Sequence, residues 1–137
     1  MIQRIQSVWL FIASVLIFLT LKLSFFSGTY VVDNQYHQLK GTDTPLIMIT
    51  TILLGIIALF TIFLYKKRIV QLRLSILSIV LDLLLVYLYY REASTKFTQG
   101  AYSITAALHV VIILSLILAA RGINRDEKLI KDSDRLR

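Results

Sequence analysis

Three stretches of this chain carry no charged side chain: 17 residues between Arg4 and Lys22, 22 between Asp43 and Lys66, and 24 between Lys96 and Arg121. A spanning helix needs about 20 apolar residues to cross the bilayer's hydrocarbon core, and each run is close to that length. Three such runs within 137 residues leave little room for anything but a membrane protein of one domain. Composition agrees, because 57% of the residues are hydrophobic and the mean hydropathy is +0.74, whereas ordinary soluble domains are roughly 45–50% apolar.

A fourth candidate, Leu74 to Tyr90, lies between Arg73 and Arg91 and contains Asp82. A central aspartate costs about 2.5–3.5 kcal/mol on insertion, and each central Leu, Ile or Val returns about 0.3–0.6. Seven Leu, two Ile and two Val offset the single acid, so the segment is expected to insert. Charge asymmetry supports an even number of spans. With four, the inner side holds Arg4, Lys66, Lys67, Arg68, Arg73, Arg121, Arg125, Lys128, Lys131, Arg135 and Arg137, eleven of fifteen basic residues. Lys22, Lys40, Arg91 and Lys96 fall outside. That is the positive-inside pattern for cytoplasmic N- and C-termini, and it turns the net charge of +7 from a polyanion signal into an orientation signal. Trp9 and Tyr65 fall at the inner interface, and Tyr87, Tyr89, Tyr90 and Tyr102 crowd the outer one. The first segment reads as an uncleaved helix, since Phe25 and Phe26 stand where a signal-peptidase site wants small residues.

The expected architecture is an all-α integral membrane four-helix bundle, with spans at about 5–24, 45–65, 69–90 and 101–121 and a charged cytoplasmic tail, 122–137. Spans two and three are joined by little more than Lys66-Lys67-Arg68, and spans three and four by a polar outer loop, 91–100, so both pairs should pack as neighbours. Lys22 and Arg73 should snorkel from just inside their spans. The first outer connection carries β-rich residues flanking Asp33-Asn34, Thr29 to Val32 before and Gln35 to Leu39 after, which predicts a short hairpin. Thr44-Pro45 suits a helix start, with threonine as cap and proline in the first turn. In the tail, Glu127 precedes Lys131 by four residues, the favourable ion-pair order on a helix continuing from span four.

The absence of cysteine closes disulfide, thiolate-metal and cysteine-nucleophile chemistry. No Gly-x-Ser-x-Gly, phosphate loop, His-Glu-x-x-His or paired-carboxylate pattern occurs, so neither an enzyme nor a bound cofactor or metal is expected. His37 reads as a solvated loop residue. Thr51, Gly55 and Ala58 form a small-residue face on span two, suited to close helix packing. Span three stacks Gln71, Ser75, Ser78, Asp82 and Tyr89 on one face, which should turn away from lipid, and span four places Tyr102, Thr105 and His109 in a second stripe. Asp82 and His109 lie at depths that differ by roughly 3 Å at 1.5 Å per residue, so they can meet across neighbouring helices. The first reading of that polar contact, with Ser75 and Ser78 beside it, fixes the register of the bundle; a proton or ion relay and the docking of a partner helix are the alternatives.

The sequence becomes more specific at its ends. Met1-Ile2-Gln3-Arg4-Ile5-Gln6, the run Lys67 to Leu74, Arg125 to Lys131 and Asp134-Arg135-Leu136-Arg137 resemble a family of small four-span inner-membrane proteins from Bacteroidota, domain of unknown function family 4293. The resemblance runs end to end. It implies a bacterial cytoplasmic membrane and brings no catalytic residues. The expected function is a non-enzymatic accessory or scaffold subunit of a membrane complex. Lys66, Lys67, Arg68, Arg125, Glu127, Lys128, Lys131, Arg135 and Arg137 are its expected cytoplasmic partner surface, and their mixed charge suits a protein or anionic lipid in addition to the bilayer itself. The alternatives are a small transporter or proton pathway through Asp82 and His109, and a membrane tether for a ribosome or nucleic acid through the basic inner face.

Overall fold

A computed structural model describes residues 3–135, so Arg137 and its neighbour fall outside the description. The described residues form four helices, α1 (Gln3–Thr20), α2 (Pro45–Phe63), α3 (Arg68–Lys96) and α4 (Ala107–Arg135), and three short strands, β1 (Ser24–Tyr30), β2 (Tyr36–Lys40) and β3 (Phe97–Tyr102), in the order α1-β1-β2-α2-α3-β3-α4. A single 3-10 turn, Ile104–Ala106, leads into α4.

The helices close into a ring in which α1 packs on α2 and α4, and α3 packs on α2 and α4. Side-chain bonds fix their directions. Gln6 near the start of α1 reaches Asp126 late in α4, Arg68 at the start of α3 also reaches Asp126, and Thr44 just before α2 reaches Glu92 late in α3. Neighbours are therefore antiparallel. The α2–α3 turn and the far end of α4 lie at one end of the ring, and the sheet lies at the other.

The ring encloses an apolar core threaded with polar side chains, and its outside is apolar. Ser14, Thr51, Thr61, Gln71, Ser75, Ser78, Asp82, His109 and Ser115 are buried, whereas Phe11, Val15, Ile49, Phe60, Val80, Leu83, Val110 and Leu114 are exposed. Several inward hydroxyls donate to the carbonyl one turn earlier in their own helix: Thr51 to Ile47, Thr61 to Ile57, Ser75 to Gln71 and Ser115 to Val111. That local bond satisfies the donor without demanding a partner across the bundle. A continuous apolar exterior is the surface a bilayer solvates. Among the described residues, α2, α3 and the helical run through α4 are long and apolar enough to cross a membrane, and the apolar part of α1, Ile5–Thr20, is shorter. The chain is a membrane protein, mostly helical, with a small sheet.

The small-residue face of α2 packs tightly, as its spacing predicts. Thr51, Gly55 and Ala58 are all buried, and a Cβ on Gly55 would lie 2.6 Å from the Phe18 ring of α1. The Ser14 hydroxyl donates to the Gly55 carbonyl at 3.3 Å, so glycine serves both the ring and the bond.

The sheet changes several boundaries. Its order is β2-β1-β3, antiparallel throughout, so the expected hairpin is two-thirds of a three-stranded sheet. Strand β1 starts at Ser24, five residues before the expected Thr29, and that pulls the chain out of helix after Thr20 rather than at residue 24. Lys22 then stands past the end of α1 instead of inside a span. Residues 91–100 are not a loop: α3 continues to Lys96, helped by a Glu92–Lys96 ion pair of 2.7 Å at i,i+4, and Phe97 passes directly into β3. The fourth helix accordingly begins after Ala106, not at 101, because Phe97–Tyr102 pairs with β1. Gly28 faces Gly100 in this pairing, and a Cβ on either would enter the other strand's backbone. At the hairpin tip Asn34 takes φ 53°, the left-handed conformation that asparagine tolerates. Thr44 precedes Pro45 as expected, yet its side chain does not cap α2; its hydroxyl donates to Glu92 at 3.3 Å instead.

Candidate functional site

Two clusters distinguish this molecule, one inside the ring and one at the end away from the sheet. The inner cluster rests on α3, whose face Gln71, Ser75, Ser78, Asp82 and Tyr89 is wholly buried, as its spacing predicts. The stripe expected on span four breaks up. Only His109 belongs to α4; Tyr102 lies in β3 and is half exposed, and the Thr105 hydroxyl donates to the Ser24 carbonyl from the 3-10 turn.

Asp82 and His109 meet. The Asp82 Oδ1 lies 2.9 Å from His109 Nδ1, with both side chains almost fully enclosed, a geometry served by Nδ1–H donating to the carboxylate. Ser75 and Ser78 do not join them; each hydroxyl is spent on its own helix, Ser78 on the Leu74 carbonyl at 2.9 Å. Among the described residues neither Asp82 Oδ2 nor the Tyr89 hydroxyl has a hydrogen-bond partner. Aromatic rings close the pair off. Phe25, delivered by β1, stacks on Tyr89 with centroids 4.5 Å apart and stands edge-on to His109 at 5.8 Å, and Tyr89 lies 5.6 Å from His109. The crevice that reaches His109 from the sheet side has a volume of about 10 Å³, at the lower limit of what one water requires. Such a site can hold a proton or lock two helices, and it has no room for a solute.

Counting along α3 at about 1.5 Å per residue, Asp82 lies roughly 21 Å from Arg68 at the α2–α3 turn and as far from Lys96 at the sheet end, midway along the helix. Phe25 is the residue that sequence reasoning missed here. Its only signal was an apolar pair, Phe25-Phe26, directly after the first span.

The end cluster lies on the helix expected to continue from span four, and within that extension Ile123 and Asp126 are buried. The inward face of α4 runs His109, Ile112, Leu116, Ala119, Ile123 and Asp126, all buried, at alternating spacings of three and four. Gln6 Nε2 donates to Asp126 Oδ2 at 2.6 Å, and Arg68 Nη1 donates to the Asp126 carbonyl at 3.2 Å. Gly122 lets Gln6 approach: a Cβ there would be 2.7 Å from Gln6 Cγ. These bonds tie α1, the start of α3 and the α4 extension together at Asp126, so the extension continues the bundle up to that residue. Beyond Asp126 the expected Glu127–Lys131 pair forms at 2.7 Å. Arg125, Lys128, Leu129 and Asp132 are exposed on the opposite side, and Lys66 and Lys67 are exposed on the turn. The side chain of Arg135 lies outside the described residues. Among the described residues no group of three or more His, Cys, Asp or Glu could hold a metal ion. His37 is solvent-exposed as expected but lies in β2 rather than in a loop, and it bonds Asp33 at 2.9 Å beside the hairpin tip.

A ring of apolar-coated helices enclosing a sealed acid–imidazole pair, with a small sheet at one end and a braced charged extension at the other, defines a small integral membrane protein of the helical class. The chain belongs to the family described as Domain of unknown function (DUF4293), whose sequence profile matches residues 2–136. No curated protein and no solved structure matches it significantly.

Proposed function

We propose that the protein crosses the bacterial cytoplasmic membrane four times, with the chain ends and the α2–α3 turn in the cytoplasm, and that it serves as a non-enzymatic accessory or scaffold subunit of a membrane complex. The fourth span in this reading is α1. Its outward residues Val8, Phe11, Val15 and Leu19 are exposed and apolar, and it packs against both α2 and α4. The observation that carries the function is the braced α4 extension. The Gln6–Asp126–Arg68 lock holds a helix beyond the bundle and leaves Arg125, Lys128, Leu129 and Asp132 exposed on the face turned away from the turn. A braced, mixed-charge helical face suits a protein partner, because the ordering entropy of the helix is met before binding.

Deleting the tail after Arg121 would also remove Ile123 and Asp126 from the core, so charge reversal is the cleaner test. Purified in gentle detergent, the wild-type protein should carry a stoichiometric partner that Arg125→Glu/Lys128→Glu releases and that Lys22→Glu at the sheet end retains. A monodisperse protein with no partner, or a partner indifferent to the reversal, contradicts the reading.

One observation favours a second reading, a proton pathway through Asp82 and His109: Asp82 Oδ2 and the Tyr89 hydroxyl are buried polar atoms with no hydrogen-bond partner among the described residues. Proton flux into proteoliposomes that disappears in Asp82→Asn supports it, and flux that survives both Asp82→Asn and His109→Ala removes it.

A further inference from the structure

Between the α2–α3 turn and the α4 extension lies an open groove of about 750 Å³. Its rim is cationic: Lys66, Lys67 and Arg68 from the turn and Lys131 from α4 face a single acid, Glu127, which is already paired with Lys131. Its wall is apolar, formed by Tyr65, Ile69, Val70 and Ile130, all substantially exposed. Ile69 and Val70 begin the outward face of α3, which runs past the exposed Arg73 to the apolar Ile76, Leu77 and Val80. Lys66 also lies 5.9 Å from the Tyr65 ring, which holds an ammonium at the junction of the two zones.

We propose that this groove is a binding site for an anionic phospholipid, with the phosphate among Lys66, Lys67 and Lys131 and an acyl chain along Ile69 and Val70. The two zones select the occupant. A zwitterionic headgroup brings its own cation to a rim with excess positive charge, and a soluble anion leaves the apolar wall bare. A phosphatidylglycerol-like lipid matches both, and each lysine near an anionic headgroup is a recurrent determinant of such recognition. Arg68 contributes differently, since one of its Nη atoms is held by the Asp126 carbonyl and fixes the width of the groove. The groove and the proposed protein-docking face occupy opposite sides of the α4 extension, so the two occupants do not compete.

This inference rests on the membrane placement proposed above, and it is tested without any partner protein, so failure of partner capture leaves it standing. Full-length protein is released from vesicles of equal phosphatidylglycerol and phosphatidylcholine and its retained lipid is read by native mass spectrometry. Phosphatidylglycerol should exceed phosphatidylcholine at least tenfold. Lys66→Gln/Lys67→Gln should lower that preference about fivefold per lysine. Lys131→Gln, which leaves the turn intact, should lower it in the same direction, and Lys22→Gln/Lys40→Gln at the sheet end should leave it unchanged. Equal retention of the two lipids, an unchanged preference in the turn and Lys131 variants, an equal loss from the sheet-end variant, or displacement of the lipid by millimolar inorganic phosphate overturns the proposal.

Discussion

Two buried aspartates, one midway along the bundle and one near its charged end, are buried in different ways. Asp82 is fully enclosed, shares one oxygen with His109 and leaves the other without a partner among the described residues, beneath a roof of Phe25 and Tyr89. Asp126 is slightly exposed, accepts the Gln6 amide on its carboxylate and the Arg68 guanidinium on its carbonyl, and lies beside an open charged groove. The first acid works in a dry interior, where losing a partner leaves an uncompensated charge. The second works at a wet margin, where water replaces what a mutation removes. Depth, more than the number of bonds, sets what each contributes.

The largest effect is expected from breaking one half of the inner pair. His109→Leu should cost about 3–5 kcal/mol of stability in detergent, because it strands Asp82. Adding Asp82→Leu should restore much of the loss, which sharpens the distinction between the pair as a lock and the pair as a requirement. If the single variant unfolds like wild type, the dyad is not holding the helices. Phe25→Ala should cost somewhat less, about 3 kcal/mol, and should also admit water to His109, which hydrogen exchange at the imidazole would report. At the margin, Asp126→Ala should cost about 1–3 kcal/mol and act locally. Amide exchange in residues 122–135 should accelerate and that around residue 82 should not. A global acceleration would erase the contrast between the two acids.

The smallest effects are titrations outside the membrane. A hydrogen bond from His37 holds the Asp33 carboxyl below its usual range. A depressed carboxylate contributes above its unfolded pKa and is lost as pH falls through the folded one. Acidification should therefore loosen the hairpin tip, seen as faster exchange at residues 30–37, with the bundle unaffected. The bond to Glu92 raises Lys96 above its ordinary pKa, so that contact is intact below the unfolded value and is lost as pH rises through the raised one. Loosening of the α3–β3 junction in alkali, and not in acid, checks the sign.

The same contrast explains what could be read from the chain. Asp82 stands out because it interrupts an apolar run, and its depth against His109 follows from counting residues along antiparallel helices. Asp126 sits among Arg125, Glu127 and Lys128, so charge hides it; only the continued three-four spacing from Leu116 through Ile123 marks its face as inward. The sheet was half legible for a related reason. Asp33-Asn34 signals a turn, but β3 contains Gln99 and Gly100, weak strand formers, and is held by pairing with β1 from far along the chain. That pairing also moved the ends of α1, α3 and α4, because tertiary hydrogen bonds outweigh local propensity where a span meets water. The groove beside Lys66 depends on two segments some sixty residues apart and has no signature in either alone.

Everything proposed for the charged end depends on which side of the membrane it faces, and the absence of cysteine makes that directly measurable. Single cysteines at Gln38 in the sheet, Lys66 in the turn and Lys128 on α4 would be probed with a membrane-impermeant maleimide in intact cells and after lysis. Four spans with cytoplasmic termini predict labelling of position 38 in intact cells and of positions 66 and 128 only after lysis. Labelling of 66 and 128 from opposite sides, or of either in intact cells, would contradict it.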